Sequence, residues 1–366
     1  MRRLAYFVSS HGFGHAARAS AIIDRLLQQD QALQIDLFAG TPNWFFAQSF
    51  GDRWPERVIL HPWETDVGLV QATALAEDME ATIRRLGDWY PIPEARLNKT
   101  ADAVEATGAE ILVSDISPLG LAAAQTLGLP SVLVENFTWS WIYRGYPSNE
   151  LESFAQILDP LFDEADLNLR TRPFCGPLGS SSQAVDPVAR RPRLDRHTVR
   201  RSLDIPEDAD VVLVTMGGVP WHFEDLDRHL EARGARDCHL IIAGGADRPT
   251  RLGKTWLIPH RSDFYHPDLV QASDAVVGKL GYSTVAEVAQ SGCRLGYVPR
   301  PVFPESPELE KWVREHMSCV RFEPAQLEDG TWLDGLVDLL AQPLRPALSG
   351  GADQAAAHIL DFLSQA

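Results

Sequence analysis

The segment Ala275–Val288 constrains the fold more than any other part of the chain, because it holds a buried strand, a glycine turn and a helix start in one short run. Ala275 to Val277 read as a buried parallel strand. Gly278 and Gly281 make the turn, and Ser283 and Thr284 open a helical pattern with Val285, Val288 and Ala289 on one face. Ser283, with Ala286 and Glu287 behind it, approximates a capping arrangement whose first-turn N–H groups point into the turn. Such a helix start attracts an anion, and Lys279 and the two hydroxyls add donors suited to phosphate. Taken alone, the segment is equally a plain strand-turn-helix tightened by glycine. The same design recurs twice, however. Val211–Thr215 runs into Met216-Gly217-Gly218, and Leu4–Val8 runs into Ser9-Ser10-His11-Gly12-Phe13-Gly14-His15. Three such turns predict a ligand at the carboxyl ends of parallel strands, where open α/β sheets place their sites.

Strands alternate with helices through both halves, so the expected class is α/β with two doubly wound parallel sheets facing a cleft. At 366 residues the chain exceeds the size of a single core, which also favours two domains. In the first half the strands are Leu4–Val8, Ile35–Ala39, Glu110–Val113 and Ser131–Val134, and the irregular stretch from Trp44 to Tyr90 is expected as loops and helices at the mouth of the domain. Between Arg170 and Arg201 the alternation lapses into eight arginines, four prolines and Gly179-Ser180-Ser181-Ser182, the composition of a linker. The expected organisation is a first domain over 1–170, a linker over 171–204, a second domain over 205–350, and a terminal helix over 351–366 packing across the junction.

Composition excludes several functions. A formal charge of −17 argues against nucleic acid, whose binding needs a basic face. Four widely spaced cysteines without a CxxC pair read as reduced thiols rather than a zinc site. Met1-Arg2-Arg3 resembles the start of a signal peptide, but the apolar run behind it is too short, and no stretch approaches a membrane span. The expectation is a soluble cytoplasmic protein with no bound metal. Asp208-Ala209-Asp210 has the spacing of metal-binding carboxylates but precedes a strand, at the wrong end of the sheet.

His11 to His15 is the second feature of note. Gly12 and Gly14 let backbone approach a ligand, and an imidazole at His15, or failing that His11, can serve as a general base near neutral pH. Asp115 ends a parallel strand, where its carboxylate either orients His15 or caps the following helix; sequence leaves the two roles equal. The turn lacks the GxGxxG order and the acidic residue of a dinucleotide site.

His11 to Arg18 (HGFGHAAR), Asn136 to Tyr143 (NFTWSWIY) and Val277 to Pro307 together resemble nucleotide-sugar glycosyltransferases of the two-Rossmann, GT-B kind. The chain is similar to the branch that contains the peptidoglycan GlcNAc transferase, and more so to the glycosyltransferase-like amino-terminal half of plant arabinokinases. The resemblance implies a diphosphate at Gly217, Gly218, Gly281, Ser283 and Thr284, with Lys279 beside it. It implies a base against the backbone near Phe264 and Tyr265, and ribose hydroxyls on Glu305. The acceptor is expected on the first domain's side, at Gly12, Gly14, Asn136 and Trp139, with Trp139 and Trp141 as stacking surfaces or as core. Arabinokinases continue into a kinase domain that has no counterpart here, so kinase activity is not expected. The resulting expectation is an inverting glycosyltransferase that uses a nucleoside-diphosphate sugar as substrate, with neither cofactor nor metal. A nucleotide-sugar epimerase or hydrolase on the same fold, or a non-catalytic nucleotide-sugar sensor, stays open.

Overall fold

The computed structural model describes residues 2–217 and 238–365. The described residues form two seven-stranded sheets. The first holds β1 (Arg2–Val8), β2 (Leu33–Ala39), β3 (Val58–Pro62), β4 (Ile111–Asp115), β5 (Ser131–Glu135), β6 (Leu167–Thr171) and β7 (Ser182–Val185). The second holds β8 (Asp210–Thr215), β9 (Cys238–Ala243), β10 (Thr250–Leu252), β11 (Thr255–Ile258), β12 (Ala275–Lys279), β13 (Arg294–Val298) and β14 (Cys319–Arg321).

Strand order is β3-β2-β1-β4-β5-β6-β7 in the first sheet and β10-β11-β9-β8-β12-β13-β14 in the second. All pairs are parallel except β10 with β11. The chain therefore reverses its direction of sheet building beside β1 and β4 in one domain, and beside β8 and β12 in the other. Those are the switch points at which doubly wound sheets leave a crevice. Leu4 to Val8 of β1 and Val276 and Val277 of β12 are fully buried, as expected of strands covered by helices on both faces.

Three elements depart from the sequence reading. Strand β3 was hidden within the irregular tryptophan-rich stretch, because it is an edge strand and is only partly buried. The segment over 171–204 is not a flexible linker: Ser182–Val185 adds a parallel strand beside β6, and Arg196–Ser202 is a helix capped by Asp195. Only the run between them crosses, and its Arg190 is buried against Glu287. The last helix, Gly351–Gln365, seats Ala355, Ala356, Ile359 and Leu363 in the core of the first domain, among residues of helix Gly12–Gln29 and of the first sheet. The helix expected near 224–232 lies outside the described residues.

Candidate functional site

The turn after β1 delivers helix Gly12–Gln29 to the cleft. His11 stands at the N-cap without a side-chain cap bond, and Gly12 takes φ +69 with open space on the side where a Cβ would point. Its left-handed backbone favours glycine. His15 and Arg18 lie three residues apart, so they share a helix face, and both reach the carboxylate that ends β4. His15 Nδ1 is 2.9 Å from Asp115 Oδ1. Arg18 donates through Nε to Asp115 Oδ2 at 2.8 Å and through Nη2 to Oδ1 at 2.6 Å. All three side chains are buried. Burial alone would raise the Asp115 carboxyl, but the charge and hydrogen bonds of Arg18, with His15 adding to them, hold it below the usual carboxylate range.

The network continues across the cleft. Arg18 Nη1 donates to Asn136 Oδ1 at 2.6 Å, and Asn136 Nδ2 donates to Glu305 Oε1 at 2.6 Å. Glu305, expected on the ribose, is thus a buried acceptor for a first-domain amide. The reason is local: it opens helix Glu305–His316, whose start abuts the first domain.

His11 is partly exposed and packs against Gly68 and Leu69. Its Nδ1 accepts from the Leu69 N–H at 3.3 Å, and the backbone of Gly68 lies against its ring. Burial first, then the neighbouring His15, Arg300 and Lys279, push its pKa well below the ordinary imidazole value. Trp139, by contrast, is fully buried. Its ring stacks on Tyr143 and its indole N–H donates to Asp66 Oδ2 at 2.9 Å. Neither face is available to an acceptor, so the stacking role expected of it is corrected to core. Trp141 lines a separate groove with Glu135, Asn168 and Arg170.

On the second domain, helix Tyr282–Ser291 begins at Gly281, which is its N-cap, and no side chain caps it. Ser283 does not form the expected cap, and among the described residues no side chain accepts from the N–H groups at the cap. The space above Gly281 is open. This helix start faces that of Gly12–Gln29: a methyl group on Gly14 would come within 3.6 Å of Ser283 Oγ. Lys279 lies over Gly217 and points its Nζ at the Ala74 carbonyl, 3.5 Å away. Burial first, then Arg300, push its ammonium down to about 8. Gly218 lies outside the described residues.

Between the two helix starts lies a cavity. Phe13, Trp44 and Phe45 line it from the first domain; Gly217, Phe264, Ser283, Thr284 and Glu287 line it from the second. Gln48 bridges the mouth, donating to the carbonyls of Ser262 and Phe264 at 2.9 and 3.0 Å. Tyr265 turns away, with the Arg193 guanidinium 4.1 Å above its ring. Of the residues expected on the donor, the structure therefore gathers Gly217, Phe264, Ser283 and Thr284, with Lys279 and Gly281 at the edge, and leaves Tyr265 and Glu305 aside.

Glu287 was missed as a site residue. Its carboxylate accepts from Arg190 Nε and Nη2 at 3.0 and 2.9 Å and lies 2.9 Å from His266 Nδ1. Burial works to raise it, but Arg190 and then His266 outweigh burial and take it down to about 2. The available signal was spacing: Glu287 follows Ser283 by four residues and shares its helix face. Arg18 could have been found the same way from His15.

No family model matches the chain. It is 29% identical over 367 residues to the L-arabinokinase of Arabidopsis thaliana, a match that covers 97% of this chain and 34% of that protein. The chain thus spans about a third of that relative's length. Among solved structures, a UDP-glucosyltransferase from Polygonum tinctorium superposes with a TM-score of 0.64 at 12% identity, covering 99% of this chain and 98% of that one. MurG of Acinetobacter baumannii gives 0.54 at 15% identity, with both chains covered in full (100%). The fold is GT-B.

Proposed function

We propose that the protein transfers a sugar from a nucleoside-diphosphate sugar to a hydroxyl acceptor, with inversion at the anomeric carbon and without a metal ion. The observation that carries this is the pairing of His15 with Asp115 at a helix start that faces a second, uncapped helix start across one cavity. The fold shared with a UDP-glucosyltransferase supports the same reading.

The chemistry follows from those positions. With its Nδ1–H donated to Asp115, His15 presents the Nε2 lone pair to an acceptor hydroxyl. The acceptor oxygen attacks the anomeric carbon opposite the diphosphate, the bond to the diphosphate oxygen breaks with its electron pair, and the proton passes to Nε2. Asp115 stays ionised and stabilises the imidazolium. Arg18 fixes the carboxylate from its other side. The leaving diphosphate meets the free N–H groups at Gly281 to Thr284 and the Lys279 ammonium, a fixed positive environment of the kind that stabilises developing negative charge. In the cavity, Phe264 and Trp44 offer apolar walls to a base, and Glu287, held by Arg190 and His266, is the lining carboxylate nearest in kind to a ribose acceptor.

The test is a thermal-shift screen of UDP, GDP, dTDP and their sugar conjugates, followed by product analysis of the best donor. A ligand at ~100 times its dissociation constant adds roughly 2.7 kcal/mol to stability, well within reach of the method. A glycosylated acceptor of inverted configuration supports the proposal. An epimerised donor, or binding without turnover, overturns it.

A further inference from the structure

The segment between β3 and helix Met79–Trp89 does not stay with its own domain. Its first part is tied to the first domain: Asp66 accepts from the Ser10 N–H at 2.9 Å, and the Gly68 carbonyl accepts from the Tyr143 hydroxyl at 3.0 Å. Its tip then folds back on itself through a bridge between Gln71 and Glu77. The tip is seated on the second domain, where Ala74 and Leu75 are buried in one cluster with Val214 and Met216 at the end of β8. Lys279 reaches the Ala74 carbonyl, so the hairpin lies over the end of β12, beside the turn assigned above to the diphosphate.

Under this hairpin is a polar group that folding alone does not satisfy. Glu77 pairs with Arg300 through Oε1, and its side chain is fully buried (0% exposed). Its other oxygen, Oε2, has no hydrogen-bond partner among the described residues. Arg300 is held from two sides, by its backbone bond to Ser306 Oγ at 3.1 Å and by Phe303, whose ring lies 3.4 Å below the guanidinium. Its Nε nevertheless lacks a hydrogen-bond partner among the described residues. The Tyr146 hydroxyl lies beside this carboxylate and is turned toward it, with no close hydrogen-bond partner among the described residues. Buried polar groups are ordinarily paired, so a guanidinium N–H left unpaired beside a carboxylate oxygen and a hydroxyl that have only each other indicates room for a ligand's hydroxyls.

We propose that Glu77, Arg300 and Tyr146 form the subsite for the transferred sugar, so that a hairpin of the first domain reads the donor held by the second. The proposal rests on the functional reading above. The chemistry selects the ligand class. A sugar hydroxyl brings one donor and two lone pairs, so neighbouring hydroxyls can donate to Glu77 Oε2 and accept from Arg300 Nε and Tyr146. A phosphate or a carboxylate brings no donor for Glu77 and sets like charge against it. The subsite therefore fits a neutral sugar with free adjacent hydroxyls. Because Glu77 is covered, the hairpin has to lift for the sugar to enter and then settle upon it.

Titration calorimetry on the full chain tests this with UDP, GDP and dTDP and the glucose conjugate of each. In the wild type the conjugate of the binding nucleotide should bind more tightly than the bare diphosphate. Glu77→Gln should remove about tenfold or more of that difference, the loss of one charged hydrogen bond, and leave the affinity for the bare diphosphate within about twofold. Tyr146→Phe, which deletes only a hydroxyl, should act in the same direction with a smaller effect and guards against a folding defect in the first variant. A sugar increment that survives both substitutions, or a loss shared equally by diphosphate and conjugate, overturns this subsite alone. Failure of every nucleotide to bind the wild type overturns the functional reading with it.

Discussion

Removing His15 and neutralising Asp115 should separate catalysis from stability, because Asp115 keeps the Arg18 charge when His15 is lost, whereas Arg18 loses its bonded carboxylate when Asp115 is neutralised. In His15→Ala, Asp115 keeps both hydrogen bonds from Arg18, at 2.8 and 2.6 Å, so no charge is stranded. The structural cost is a buried ring and one hydrogen bond, about 2–3 kcal/mol. The catalytic cost is that of a lost general base, roughly 10²- to 10⁴-fold in kcat, or about 3–5 kcal/mol. In Asp115→Asn the balance reverses. The amide turns either a neutral oxygen or an N–H toward Arg18, whose guanidinium is only 1% exposed, and breaking one side of such a buried pair costs about 3–5 kcal/mol of stability. Steady-state kinetics at saturating donor, thermal unfolding and donor calorimetry on both variants read the three quantities. His15→Ala should fold, bind donor normally and turn over slowly; Asp115→Asn should melt much earlier. A His15→Ala enzyme that keeps more than about a tenth of wild-type kcat would refute the assignment of the base.

Ser283→Ala should weaken nucleotide binding by about 1 kcal/mol or more through the loss of a donor to a charged oxygen. Gly281→Val, whose new side chain would enter open space, should block the same ligand while the fold survives; unchanged calorimetric affinity in both would remove the site. Donor affinity should be full below about pH 7 and fall as pH rises through about 8, where Lys279 loses its proton, and Lys279→Met should flatten that profile. Glu287→Gln should cost about 3 kcal/mol of stability at neutral pH. The sign follows from a carboxyl lowered from 4.5 to about 2. Its contribution is complete above the ordinary value and is lost as pH falls toward 2, so the melting difference from wild type should shrink over that window.

The sheets were legible because buried parallel strands write themselves as short apolar runs, as Val211–Thr215 and Arg294–Val298 do. Strand β3 was not, because its apolar run is only Val58-Ile59-Leu60, set in a tryptophan-rich stretch, and as an edge strand it has no fully buried residue. Within the site, His15, Asp115 and Ser283 could be placed from their position after a strand. Glu305 misled because a residue after β13 can face either the cleft or the opposing domain, and only the packing of helix Glu305–His316 against Asn136 decides which. Glu77 and Tyr146 carry no sequence signal at all. Their proximity to Arg300 exists only once a first-domain hairpin reaches the second domain, a contact across 223 positions of the chain between Glu77 and Arg300.

Neither half of the site is complete on one domain. The proposed base stands on the first and the diphosphate turn on the second, yet each is held by polar groups of both. His15 is set by Asp115, Asp115 by Arg18, Arg18 by Asn136, and Asn136 by Glu305 of the second domain. Lys279 in turn rests against the hairpin of the first. Such buried contacts contribute individually on the order of 1 kcal/mol, so the closed cleft is favoured by a sum of small terms. A donor that touches both walls adds to that sum only in the closed arrangement, and its differential affinity for that state is what shifts the population. Holding the imidazole through a chain of buried hydrogen bonds ending on the second domain thereby ties the alignment of the base to the same closure that encloses the donor.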